Sequence, residues 1–212
     1  MKIAAPRLPA HLETADSRVI VPEATVERVR IEGGELAGRQ LPAVSLDEIK
    51  ISRLTLAQSK LEKLVVRDSI ISGCDFAAVS STEISLQRTK LSDIRATGWD
   101  VSRGIIRDVT FLDCKLDLAN FRFARLTSVH FKGCVLVGAD FLQAHLNKVR
   151  FEDCELDQAD FNHATLKDTD LRGSRIAGLR GWQYLRGASI DQTQLITAAS
   201  YLAAELGLTV TD

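Results

Sequence analysis

Aromatic residues are scarce in this chain of 212 residues, at 6% against a hydrophobic share of 45%. Large aromatic clusters therefore do not fill its core, and something more regular must. Net charge is equally small: 27 Lys and Arg against 28 Asp and Glu leave a formal -1. That balance argues against a protein that coats nucleic acid through a bulk positive field. No window approaches the roughly 20 apolar residues of a membrane span, and the opening MKIAAPRLPAHLETADS holds no stretch suited to a secretory signal, so a cytoplasmic protein is expected. The four cysteines, Cys74, Cys114, Cys134 and Cys154, form no C-x-x-C pair, the usual zinc or redox signature.

What the chain does have is a period. The last three cysteines lie 20 residues apart, and Cys74 lies 40 before Cys114. Blocks starting at Phe111, Phe131 and Phe151 align without gaps, and each divides into four units of five. Every unit has a large apolar centre, among them Phe111, Leu116, Phe121, Leu126, Phe131, Phe141, Phe151 and Phe161. Two positions earlier stands a small or β-branched partner, such as Val109, Cys114, Ala119, Ala124, Cys134 or Cys154. The phase runs back to Ile31 and forward to Ile176, about 30 units over residues 29–178, weakened at the undersized centres Ser81 and Ala96. Neither the helical period nor the strand period keeps a repeat of five, so the chain must turn at every unit.

Ala119-Asn120-Phe121, Ala139-Asp140-Phe141, Ala159-Asp160-Phe161 and Cys74-Asp75-Phe76 carry an A-(D/N)-(L/F)-x-x pattern that resembles the pentapeptide-repeat family. The resemblance implies an all-β protein, a right-handed quadrilateral parallel β-helix with four units per coil. About seven to eight coils are then expected, on the order of 36 Å long at a strand spacing of about 4.8 Å. Centres and partners point inward. Phe111, Phe131 and Phe151 form one column, and Phe121, Phe141 and Phe161 the opposite one. Gly33, Gly38, Gly73, Gly133, Gly138 and Gly173 fall at corners that call for positive φ.

Solenoid ends must be closed. Residues 1–28 are read as a leader and cap, with Val19–Pro22 and Val26–Val29 laid as strands over the first coil. Residues 179–212 are read as a linker and capping α-helix. Asp191 is its N-cap, Leu195, Ala199, Leu202 and Leu206 lie on one face, and Gly207 ends it. A homodimer interface is the alternative use of that helix.

Chemistry is hard to assemble. The cysteines read as buried small hydrophobes, and a straight column of side chains does not surround a metal. His11, His130, His145 and His163 lack a nucleophile and an orienting partner. Gly33–Gln40 resembles a phosphate loop only superficially, because Arg39-Gln40 replace Lys-Ser/Thr. No catalytic, cofactor-binding or metal residue is assigned.

Binding surfaces are more legible. Glu152, Asp153, Glu155, Asp157 and Asp160 head an acidic band, preceded by a basic stretch holding Arg122, Arg125, Lys132, Lys148 and Arg150. Leu118, Val135 and Val137, with Ala57, Ala77, Ala78 and Gly138, are read as an uncharged contact stripe down one side. Between Val79 and Gly104, Ser81, Ala96 and the oversized Trp99 suggest a bulge that a ligand or substrate would use. The leading expectation is a non-enzymatic interaction rod. Its sharpest form follows from the resemblance to family members that imitate duplex DNA and bind DNA gyrase or topoisomerase IV, without direct contact to nucleic acid. The alternatives are a ligand-binding or catalytic accessory protein and a structural assembly module.

Overall fold

The structure, a computed structural model, describes residues 3–205 and 207–211; Leu206, expected on the face of the closing helix, lies outside them. Every unit turns the chain by a quarter. The strands Val65–Ser72, Ser85–Ser92, Ile105–Leu112, Arg125–Lys132 and His145–Glu152 each bend across two sides. They pair in parallel at an offset of 20, so that Phe111 lies beside Phe131 and Phe131 beside Phe151. The other two sides are joined by single pairs such as Lys115, Val135 and Glu155, or Asn120, Asp140 and Asp160. Sides one to four take their numbers from the centres Ile106, Phe111, Leu116 and Phe121, in that order.

The result is an all-parallel β-solenoid of about nine turns closed by a single C-terminal helix. The turn count exceeds the expected seven to eight because the ladder continues at both ends. Glu13–Ala15 pairs with Val29–Ile31, and Ala188–Ser189 with Thr169–Asp170.

The interior shows why few aromatics suffice. Phe111, Phe131 and Phe151 stack with centroids 4.7 and 4.9 Å apart, and Phe121, Phe141 and Phe161 stack at 4.8 Å. These spacings repeat the interstrand distance. Rings of the two columns meet edge to face, Phe121 on Phe131 at 6.0 Å, the geometry that aromatic quadrupoles favour. Toward the N-terminus the centres shrink to Leu, Ile and Val while the partners grow to Ile49, Leu54, Leu64 and Ile84, all buried. Total volume per coil is thereby roughly conserved. The corners take positive φ whether or not glycine is present, as at Gln58, Lys63, Leu118 and Phe123.

The N-terminal cap differs from expectation. Ser17–Val19 is a 3-10 turn rather than a strand, with Asp16 capping it through the Arg18 N–H, and Ile20 is the residue buried at the open end of the first coil. Residues 3–12 instead run outside the rod, along the corner between sides one and two. The Arg7 N–H donates to Asp68 at 3.0 Å and the Ala4 N–H to Asp108 at 3.4 Å. Three extended residues thus span two coils, as rises of about 3.3 Å per residue and 4.8 Å per coil require.

The closing helix, Gln192–Glu205, begins at Asp191 as expected. Asp191 accepts from the Gln194 N–H at 2.9 Å, and the Gln194 side chain accepts from the Asp191 N–H at 2.8 Å, a capping box. The inward face is another matter. Gln194 and Ala198 are buried, whereas Leu195 is 50% exposed and Ala199 faces solvent. The helix is rotated by roughly a quarter-turn from the apolar face, at about 100° per residue. The reason is polar: the Gln194 amide donates to the Leu171 and Ser174 carbonyls at 2.6 Å each. These belong to the last coil, and no leucine would satisfy them.

Candidate interaction surface

A side chain on one coil faces its equivalents 20 residues away, and this register sorts the surface charges. Arg28 meets Glu48 at 2.8 Å, Arg67 meets Asp47 at 3.3 Å, Arg88 meets Asp68, Arg95 meets Asp75, and Lys132 meets Glu152 at 2.6 Å. The rod's near-neutral composition is thus matched by axial pairing of many of its charges. Each exposed pair contributes little stability, but each removes a charge that a partner would otherwise read.

The acidic band is distributed around the rod. Glu152 and Asp153 lie on side two, Glu155 and Asp157 on side three, and Asp160 on side four. Glu152 sits among Lys132, Arg150 at 3.2 Å and His130 at 3.2 Å, and the Lys132 ammonium holds its carboxyl below the ordinary range. Burial pushes the His130 imidazole down despite that carboxylate. Arg175 contacts both Glu155, at 3.4 Å, and Asp157, at 2.8 Å. Asp160 accepts from the Asn162 N–H at 2.9 Å and lies 3.7 Å from Arg180. Asn120 and Asp140 accept from the N–H two residues on in the same way, so the Asp or Asn of the five-residue motif builds the corner. Of the five carboxylates, Asp153 alone is exposed.

The apolar stripe breaks in two. Leu118 is 65% exposed and lies over Gly138, beside half-buried Val135 and Val137. Arg95, Thr97, Lys115 and Asp117 separate this island from Ala57, Ala77 and Ala78. Leu195 and Leu202 belong to the helix at the far end, Leu202 partly buried against the core. The cysteines are buried thiols. Those of Cys114, Cys134 and Cys154 each reach a carbonyl of the preceding coil, as Cys134 does Phe111 at 3.5 Å.

The expected bulge is absent. Asp75, Arg95 and Lys115, and likewise Ser80, Asp100 and Asn120, keep the offset of 20 across it. Trp99 is 1% exposed, fills the room left by Ser81 and Ala96, and spends its indole N–H on the Ser81 hydroxyl at 2.7 Å. The adjacent cavity is apolar and holds only about 20 Å³, enough for one solvent-sized group. Among the described residues no cluster of His, Cys, Asp or Glu is arranged to hold a metal ion.

One side has a different character, missed when charges are counted along the sequence. The outward columns of side one are Ile105, Arg125, His145 and Thr165, and Arg107, Thr127, Asn147 and Lys167. Between Ile105 and Lys167 neither contains a carboxylate, although the second does nearer the N-terminus, at Glu27 and Asp47. The signal that finds this face is charge sorted by side at the 20-residue offset, which the five-residue phase already defines.

A family model described as a pentapeptide repeat region matches residues 104–180. Among solved structures, HetL from the cyanobacterium Nostoc sp., a protein involved in heterocyst differentiation regulation, is 16% identical. The match covers 81% of this chain and 91% of that one, with a TM-score of 0.38. Full-length QnrB1, a plasmid-mediated fluoroquinolone resistance protein, is 18% identical over 92% of this chain and 95% of its own, with a TM-score of 0.48. A pentapeptide repeat protein of the Arabidopsis thaliana thylakoid lumen is 22% identical over 61% and 73%, with a TM-score of 0.38. No curated protein sequence is significantly similar. No described helix is long and apolar enough to cross a membrane.

Proposed function

Residues 104–180 make this chain a pentapeptide-repeat protein, and from that premise we propose that it is a non-enzymatic rod whose flat sides bind other proteins. The observation that carries this reading is the filled interior. Among the described residues the phenylalanine columns and Trp99 leave no enclosed chamber of the size small-molecule sites use inside the rod, only about 20 Å³. The larger hollows, up to about 300 Å³, are open grooves on the outside, so function falls to the outer surface. The Leu118, Val135 and Val137 island and the charge-sorted sides supply such surfaces. A metabolite thermal-shift screen tests it: a flat response is expected, and a ligand that raises the melting temperature through linkage overturns the non-enzymatic reading.

The sharper form takes DNA gyrase or topoisomerase IV as the partner, with the band from Glu152 to Asp160 standing in for duplex phosphates. It is supported by the resemblance carried in the repeat motif and by exposed Asp153. The axial pairing of Glu152, Glu155 and Asp157 narrows it to a local acidic contact rather than a whole-surface mimic. Gyrase supercoiling measured with micromolar purified chain, with and without a quinolone, decides it: no inhibition and no rescue removes this form. Assembly is a second reading, favoured by exposed Leu195 and by Ile196, which is 70% exposed. Light scattering on the wild type and Leu195→Glu reads it directly, a dimer mass lost in the variant supporting it and a monomer mass in both overturning it.

A further inference from the structure

We propose that side one, between Ile105 and Lys167, is a docking face for an extended acidic segment of a partner protein. This rests on reading the chain as a protein-binding rod and specifies which side binds and what it binds.

The first argument is charge. Arg103, Arg107, Arg125, Lys148 and Lys167 are exposed, and among the described residues none of them has a carboxylate partner. Many other cations are paired along the axis, among them Arg88, Arg95, Lys132 and Arg175, and Arg67 nearer the N-terminus of this same side, whereas Lys60 and Lys115 on sides four and three form no ion pair among the described residues. Between Ile105 and Lys167 on side one the axial pairing stops, because the axial neighbours of Arg107 and Arg125 are Gln87, Thr127, Ile105 and His145. The cations therefore keep their full charge toward solvent.

Apolar content supports the same use. Ile105 is 54% and Phe123 45% exposed, and the Arg103 guanidinium lies 6.0 Å from the Phe123 ring. Arginine with exposed aromatic and aliphatic area is the composition of protein-binding surfaces. Together they suit a segment that alternates carboxylates with apolar side chains.

Shape supplies the third argument. From Arg107 to Lys167 is three coil steps, about 14 Å, the length of four or five extended residues. The rod already carries one extended segment along its axis, its own residues 3–12, and that segment reaches Asp108 at the edge of side one. Nucleic acid fits less well. Asp108 and Asp168 border the face, and a chain of net charge -1 offers no bulk field to a polyphosphate.

The test is fluorescence anisotropy with the full chain and three labelled probes: a 12-residue peptide alternating Glu and Leu, the same peptide with Gln for Glu, and a thymidine 12-mer. The acidic peptide is expected to bind at least tenfold more tightly than the Gln peptide and the oligonucleotide, and to weaken as salt rises. Arg107→Glu with Arg125→Glu is expected to weaken it a further tenfold or more. Lys60→Glu with Lys115→Glu, the same charge change on sides four and three, is expected to shift it less than twofold. Circular dichroism establishes that both variants fold. Equal weakening by both pairs, no preference for the acidic peptide, or tighter binding of the oligonucleotide each overturns the assignment. Any of these with a flat metabolite screen refutes side one alone, whereas a bound metabolite refutes the rod reading itself.

Discussion

The indole nitrogen of Trp99 donates to the hydroxyl of Ser81 inside the rod, at 2.7 Å. Two departures from the repeat thereby correct one another: the oversized partner occupies the room that the undersized centre leaves and uses its hydroxyl. Ser81→Leu, which restores the consensus, is expected to destabilise by roughly 2–4 kcal/mol, through overpacking and an orphaned indole N–H. Trp99→Ala in the Ser81→Leu background is expected to recover part of that loss. A double-mutant cycle by urea unfolding measures the coupling, and additive effects would refute it.

Asp68 is the best-protected carboxylate among the ion pairs, its side chain 8% exposed, gripped by Arg88 Nε and Nη2 and by the Arg7 N–H. The Arg88 guanidinium holds its carboxyl below the ordinary range. A depressed carboxyl contributes stability that is complete above its unfolded pKa, about 3.9, and is lost as pH falls through the folded value. Asp68→Ala is expected to cost roughly 1–3 kcal/mol at pH 7, with the gap from wild type closing below about pH 4. It also unhooks residues 3–12, so trypsin is expected to cut after Arg7 several-fold faster. An unchanged cleavage rate would detach the leader from this carboxylate.

How much of the fold is legible follows from what the period encodes. Positions fixed by the five-residue phase, such as Phe131 stacked between Phe111 and Phe151, can be placed from the sequence because inward and outward alternate rigidly along it. Trp99 and Ser81 stand out as anomalies but not as partners, since their contact crosses from one coil to the next and sequence distance hides it. Glu155 and Arg175, 20 residues apart and paired, are by contrast within reach of the period once charges are sorted at that offset. Residues 3–12 carry no repeat, and only tertiary contact with Asp68 and Asp108 places them.

The cysteine column gives a chemical readout of rod integrity. Hydrogen bonding along the column to Cys114 together with burial pushes the Cys134 thiol up to about 12, and burial pushes Cys74 up as well. The thiolate is the reactive form. The Cys114 thiol is shifted down instead, by its hydrogen bond with Cys134, but all four thiols are buried beyond a reagent's reach. At pH 8 a disulfide reagent is therefore expected to label none of them in the folded chain and all four in denaturant. Fast labelling of the native protein would mean that the column opens locally.

Gln194 links the closing helix to the rod at two levels, as half of the capping box with Asp191 and as donor to Leu171 and Ser174. Replacing it with Leu would make the helix more apolar, which the sequence pattern alone predicts to be harmless or favourable. The geometry predicts the reverse. Two buried carbonyls and an N-terminal N–H lose their partners, an expected cost of roughly 2–4 kcal/mol. Leu195→Gln, on the exposed face, is expected to stay within about 0.5 kcal/mol. Coils of a solenoid depend chiefly on their neighbours, so the damage should be local. Hydrogen exchange in Gln194→Leu is expected to speed up at Arg175 and Arg180, whose amides donate to Cys154 and Ala159, before it changes at Phe111 or Phe131. A larger penalty at Leu195 than at Gln194 would restore the apolar face to the interior and overturn the rotation of the helix.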